Sequence, residues 1–195
     1  MARHSSLCGA PRRHKTLIWV RKGVRIENLI HGGGQERRRR AGTENIAGIV
    51  GQGKAIGMAT ADIPGHSAKI RAMRDRLIKG VLEIIPHARL NGHPEQRLPG
   101  NFNVSFEFIE GESMLLWLDD EGICASTGSA CTSGSLEPSH VLLATGLPVE
   151  ISHGSLRLSL GDANTEKDVD VVLEVLPKVV AKLRDMSPLY VKSGK

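Results

Sequence analysis

Apolar positions recur at helical spacing along two long stretches of this chain. Ile70, Met73, Leu77, Val81 and the pair Ile84-Ile85 fall on one face between about residues 68 and 85. Lys and Arg occupy the other face, and Pro86 ends the pattern. Val169, Val172, Leu173, Leu176, Val179, Val180 and Leu183 make a second apolar face from about residue 165 to 184. Thr165 followed by Glu166 and Asp168 has the form of a helix start, a hydroxyl cap with acids in the first turn. Pro177 lies inside this pattern and is expected to kink or split it. A weaker helical pattern joins Ile46, Ile49, Val50, Gly53, Ile56 and Ala59. Gly42-Thr43-Glu44-Asn45 opens it, and Gly57 with Ile63-Pro64-Gly65 weakens and ends it.

Elsewhere the period changes from helical to two. Over residues 101–109, Phe102, Val104, Phe106 and Phe108 fall on one side of a predicted strand. Residues 155–160 alternate Leu with polar residues, which predicts a strand with Arg157 on its polar face. Residues 122–126 are expected to form a short strand, with Cys124 in the core, and Trp19-Val20 to end another. Short helices are expected over 112–118 and 138–144, and a loop over 87–100. Helices at 68–85 and 165–184 bracketing strands at 101–109, 122–126 and 155–160 predict an α+β domain of about 100–130 residues.

Composition sharpens this picture at two points. Apolar residues make up 40% of the 195, enough for a core, but only six are aromatic, so Leu, Val and Ile must do the packing. No apolar run approaches the length of a membrane-spanning helix. The net charge of +5 divides unevenly: residues 1–40 hold eleven Lys/Arg and two acids, whereas residues 41–195 hold fifteen and nineteen. The basic character therefore belongs to the first forty residues. A nucleic-acid arm there would want interleaved aromatics, which are missing, so an exposed leader is the preferred reading.

Three cysteines, Cys8, Cys124 and Cys131, are odd in number and form no Cys-x-x-Cys pair. Neither a disulfide framework nor a zinc knuckle is indicated, and a reducing, cytoplasmic setting is expected. Cys131 stands apart because its neighbours are Ser, Thr, Gly and Ala from Ser126 to Ser135. A sulfur on such a loop is a candidate nucleophile or sulfur acceptor, although a turn that merely contains a cysteine has the same composition.

Three segments carry a resemblance. His31-Gly32-Gly33-Gly34-Gln35-Glu36-Arg37 through Arg40-Ala41-Gly42-Thr43-Glu44-Asn45 resembles a signature of the pyridoxal-phosphate cysteine desulfurases, within the class V aminotransferases. Ser129-Ala130-Cys131-Thr132-Ser133 with Leu136-Glu137-Pro138-Ser139 resembles that family's active-site cysteine loop. His153-Gly154-Ser155-Leu156-Arg157-Leu158-Ser159-Leu160-Gly161 resembles the strand bearing its substrate arginine. The resemblance covers about residues 19–185 and implies the C-terminal half of a protein about twice as long.

The implied fold is α/β: the C-terminal part of a pyridoxal-phosphate-dependent transferase of the aspartate aminotransferase type, mainly its α+β small domain. Residues 19–65 would be a remnant of the large cofactor domain with a linker helix, 66–188 the small domain and 189–195 a tail. The implied reaction converts L-cysteine to L-alanine, with Cys131 taking the sulfur as a persulfide for a sulfur-acceptor or iron–sulfur scaffold protein. Arg157 would bind the substrate carboxylate, and Thr43 would reach the phosphate of pyridoxal 5'-phosphate across the interface of a homodimer. Membranes and nucleic acid are not implied partners.

The resemblance also has a break. Counting back from Lys22, the family's cofactor lysine would stand at position 8, and position 8 is Cys8. His14-Lys15 falls seven residues too late and lacks the Gly-Pro-Lys-Gly that follows in the family, so Lys15 is not nominated. Residues 1–18 are therefore expected to be an atypical leader of different origin, and the chain is expected to be inactive alone. A non-catalytic persulfide carrier using Cys131 is the alternative.

Overall fold

The computed structural model describes residues 18–128 and 138–190. It divides into two compact units, with the boundary between Ile63 and Pro64.

The first unit is a loop followed by helices. Residues 18–34 form loop and turn, so the strand expected at Trp19-Val20 is not formed. The four-residue α1 (Gln35–Arg38) is irregular, with Glu36 and Arg37 in the left-handed region. Helix α2 (Ile46–Thr60) starts at Asn45, whose side-chain oxygen accepts the Gly48 N–H at 3.0 Å. That bond satisfies one of the unpaired first-turn donors and fixes where the helix begins. The helical pattern read from Ile46 is thus correct, but its apolar residues are not covered: Ile46, Ile49, Val50 and Ile56 are all exposed.

The second unit is built on an antiparallel sheet in the order β1 (Ala88–Leu90), β2 (Asn101–Phe106), β3 (Ser155–Ser159). Phe102 pairs with Leu158 and Val104 with Leu156, so these four buried residues share one face. Helices α3 (Ile63–Ile84), α4 (Gly111–Asp120) and α7 (Glu166–Met186) complete the core against that face. Met73, Leu77 and Val81 come from α3, Met114 and Leu118 from α4, and Val169, Leu176, Val179 and Val180 from α7. Two short helices, α5 (His140–Ala144) and α6 (Val149–Ser152), precede β3. The spacing of apolar residues thus translates into one continuous cluster, the arrangement that lets a short sheet and three helices hide their apolar faces together.

Several expectations change. Helix α3 starts at Ile63, so Ile63-Pro64-Gly65 opens it; a proline in the first turn loses no helical bond. Helix α7 runs unbroken through Pro177. The buried Leu176, Val179 and Val180 on either side hold the helix in place, and their burial outweighs one missing backbone bond. Its start follows expectation, with the Asp168 carboxylate accepting the Thr165 N–H at 2.8 Å. Residues 87–100 contain β1, which pairs with β2 from Ala88↔Phe106 to Leu90↔Val104. Phe108 leaves the strand line at φ 71° and stacks edge-on against His87 instead.

Gly154 is where the sheet and α6 meet. Its carbonyl accepts the Phe106 N–H at 2.9 Å, and a side-chain carbon there would overlap the Phe106 carbonyl oxygen. Only glycine allows this approach, and it sets the position from which β3 begins.

Candidate functional site

The second face of the sheet is polar. Pairing puts Arg89 opposite Ser105, Asn103 opposite Arg157, Asn101 opposite Ser159 and Ser105 opposite Ser155. These strand residues include two guanidinium groups and no acid. Such a face attracts anions, because nothing on the strands neutralises the two cations.

Arg157 is the exposed cation at its centre. Its backbone exchanges both hydrogen bonds with Ser126: the Arg157 N–H to the Ser126 carbonyl at 2.6 Å, and the Ser126 N–H to the Arg157 carbonyl at 3.0 Å. Residues 122–126 therefore contribute one isolated bridge and not the expected strand. The guanidinium donates to Ser126 Oγ at 3.4 Å, and its other N–H groups meet no acceptor among the described residues. The arginine is held at its base and open at its tip, ready for a planar anion such as a carboxylate.

The segment before Cys131 is anchored two residues away on the same face. The Gly128 N–H donates to Ser155 Oγ at 3.0 Å. A side-chain carbon at Gly128 would lie 2.7 Å from Ser155 Oγ and 3.3 Å from Ser139 Cβ. Gly128 thus packs close to both Ser155 and Ser139. Ser155 and Ser139 are both buried. Cys131 itself lies outside the described residues, as do Cys8 and Lys15. Cys124 is exposed and not a core residue: the buried member of that stretch is Ile123, and the adjacent side chain points the other way.

Thr43 belongs to the other unit. It is exposed in the turn two residues before the Asn45 cap, so it is not itself the cap. Arg40 holds this turn, donating to the carbonyls of Ala41 at 3.2 Å, Gly42 at 2.7 Å and Thr43 at 3.3 Å. Gly42 turns the chain at φ 99°. A hydroxyl, a guanidinium and the leading N–H groups of a fifteen-residue helix stand close in sequence here, a donor set that suits phosphate. Among the described residues there is no cluster of three or more His, Cys, Asp or Glu that could hold a metal ion. No helix among them is long and apolar enough to cross a membrane.

With this geometry in view, comparison with known proteins is decisive. The family model for aminotransferase class V matches residues 20–172. The chain belongs to the class V aminotransferase family. It is 62% identical over 185 residues to a cysteine desulfurase IscS of Methanosarcina thermophila, which covers 95% of this chain and 44% of that protein. It is 47% identical over 193 residues to the cysteine desulfurase NifS of Azotobacter vinelandii, covering 97% of this chain and 48% of that one. Among solved structures, a NifS-like protein superposes with a TM-score of 0.73 at 35% identity, over 85% of this chain and 42% of its own. The expected fold class holds: this is part of the α/β architecture of the class V aminotransferases. The chain spans less than half the length of these relatives.

The sequence missed the polar partners of Arg157. Asn103 and Ser126 both flank it, and only the alternation around Phe102 and Val104 hinted that Asn103 faces the arginine's side of the sheet.

Proposed function

We propose that this chain is the C-terminal portion of a cysteine desulfurase, taking L-cysteine to L-alanine and passing the sulfur to an acceptor protein for iron–sulfur cluster assembly. The observation that carries the reading is the shared face on β3: Arg157, with guanidinium donors unpaired among the described residues, and Gly128, three residues before Cys131, tied to Ser155 two residues away. Covalent geometry keeps the Cys131 Cα within about 11 Å of that of Gly128, three residues earlier.

Each group has a distinct task. Arg157 takes the substrate carboxylate with two parallel N–H donors and so fixes its orientation. The Cys131 thiolate attacks the substrate sulfur. An S–S bond forms as the substrate C–S bond breaks, the bonding electrons stay with the carbon skeleton, and that skeleton takes up a proton to leave as alanine. The cysteine is left as a persulfide for transfer onward. Pyridoxal 5'-phosphate, when bound, supplies the electron sink that weakens the bonds at the substrate's α-carbon. Thr43, with the first N–H groups of α2, would reach its phosphate across the interface of the homodimer. The family's dimer, the cytoplasmic setting and the division into large-domain remnant and small domain belong to the same reading.

A second reading is favoured by Cys8 standing where the family pattern has the cofactor lysine. On it, the chain is inactive alone and Cys131 only carries sulfur received from another protein. Mixing the chain with the upstream half of the Methanosarcina thermophila relative, pyridoxal phosphate and L-cysteine tests both. The desulfurase reading expects alanine, lost in Cys131→Ser and in Arg157→Ala. No alanine in the mixture, with one added sulfur on Cys131 after incubation with a complete desulfurase, establishes the carrier instead. No sulfur on Cys131 in either experiment removes both.

A further inference from the structure

We propose that Asn103 is a second donor to the anion that Arg157 binds, so that the carboxylate is gripped from two neighbouring strands. This rests on the carboxylate reading of Arg157 and goes one residue beyond it.

The register makes the case. Arg157 spends its backbone N–H and C=O on Ser126, and Asn103 spends its carbonyl on the Asn91 N–H at 2.9 Å on the opposite side. Asn103↔Arg157 is therefore a non-hydrogen-bonded antiparallel pair. In such pairs the side chains stand closest, with Cα atoms about 4.5 Å apart, and both point to the same face. An amide and a guanidinium thus rise side by side from a surface with no strand acid.

The amide is also oriented. Asn91, 7% exposed, donates from its Nδ2 to Asn103 Oδ1 at 2.8 Å and to Ser105 Oγ at 2.8 Å. This ties the oxygen of Asn103 toward β1. The Asn103 NH2 group faces away from that bond and finds no acceptor among the described residues, although the residue is only partly exposed. The NH2 group of Asn103 is not a buried, unpaired group, so its donors are open to an incoming acceptor. A carboxylate on Arg157 is the acceptor of the right charge and place. Lys or a second Arg there would bind anions equally well in charge but would repel Arg157; an amide adds a donor without that repulsion.

A purely structural Asn103 would serve only to hold Asn91. NMR separates the two roles in the full 195-residue chain, following the Asn103 side-chain amide and the Arg157 Nε–H during titration with L-alanine. Ethylamine, which lacks the carboxylate, is the control. The inference expects both signals to move with L-alanine and neither with ethylamine. It expects Asn103→Ala to weaken binding about tenfold to a hundredfold, the worth of one hydrogen bond to a charged partner. Asn103→Asp keeps the shape but sets a carboxylate against Arg157, and should abolish the Arg157 response; its thermal midpoint checks folding. Movement of Arg157 alone, with Asn103→Ala binding unchanged, overturns the inference and leaves the arginine's role standing. Movement of neither overturns both.

Discussion

The side-chain oxygen of Ser155 accepts the backbone N–H of Gly128 at 3.0 Å, tying β3 to the stem of the cysteine-bearing segment. One residue of a regular strand thereby fixes the residue three positions before Cys131. Positional accuracy is handed from the sheet to the loop at Gly128.

Ser155→Ala should remove that tie without disturbing the core. Loss of one buried hydrogen bond is worth about 1 kcal/mol. Hydrogen exchange of the Gly128 amide should speed up about fivefold, while amides of β2 keep their rates. Unchanged exchange at Gly128 would show that the stem is held by packing against Ser139 and Leu142 instead.

Neighbours on β3 should respond oppositely. Leu156 is fully buried, and Leu156→Ala should cost about 2–5 kcal/mol in a denaturant titration. Arg157 is exposed with one long side-chain bond, so Arg157→Ala should shift stability by no more than about 0.5 kcal/mol. Anion binding should follow the reverse order, and Arg157→Lys should not restore it because an ammonium cannot grip a carboxylate in two places.

Gly154→Ala should be the most damaging small change. The added methyl overlaps the Phe106 carbonyl oxygen and comes within 2.9 Å of that of Ile109. Both are backbone atoms, which cannot swing aside, so a loss of about 3 kcal/mol or a failure to fold is expected. A thermal midpoint close to that of the parent would mean that α6 can shift as a unit.

Arg184 on α7 is buried, and it clamps the end of the sheet by donating to the carbonyls of Glu107 and His87, each at 3.2 Å. Burial pushes its pKa down. The folded chain thus binds this proton less tightly than the unfolded one, and stability would grow only as pH rises through the folded value. A guanidinium stays charged across the working range, so no slope arises there. Arg184→Leu should cost about 2 kcal/mol by leaving the Glu107 carbonyl unpaired, and equally at about pH 5.5 and about pH 8.5. A loss confined to one buffer would refute a clamp that acts through uncharged backbone carbonyls.

The long helices and the two main strands were legible because each carries enough residues for a period to show. Phe102, Val104 and Phe106 all reached the core, as did Leu156 and Leu158 around Arg157. Strand β1 was not legible: three residues give one alternation, and Ala88 and Leu90 earn their place only by pairing with Phe106 and Val104. Cys124 was misplaced because a cysteine beside Ile123 fits either face until one residue is known to be inside. The proline at 64 and the one at 177 share one cause, since the residue alone does not say whether it opens a helix, ends it or is carried by packing around it. Of the candidate site, Arg157 was visible through motif and alternation together, whereas the meeting of Gly128, Ser139 and Ser155 depends on three distant segments that no local pattern joins.

The bonds from Asn91 to Asn103 and Ser105 have a consequence for how this sheet assembles. A strand of three residues has little to choose between neighbouring alignments, and a slip by one would turn Asn91 toward the phenylalanines. There its NH2 group would lose both acceptors, a penalty large enough to reject the slipped pairing. The asparagine thus works as a key cut for one lock: it adds little to how firmly the edge strand is held, and decides where along its neighbour the strand can sit.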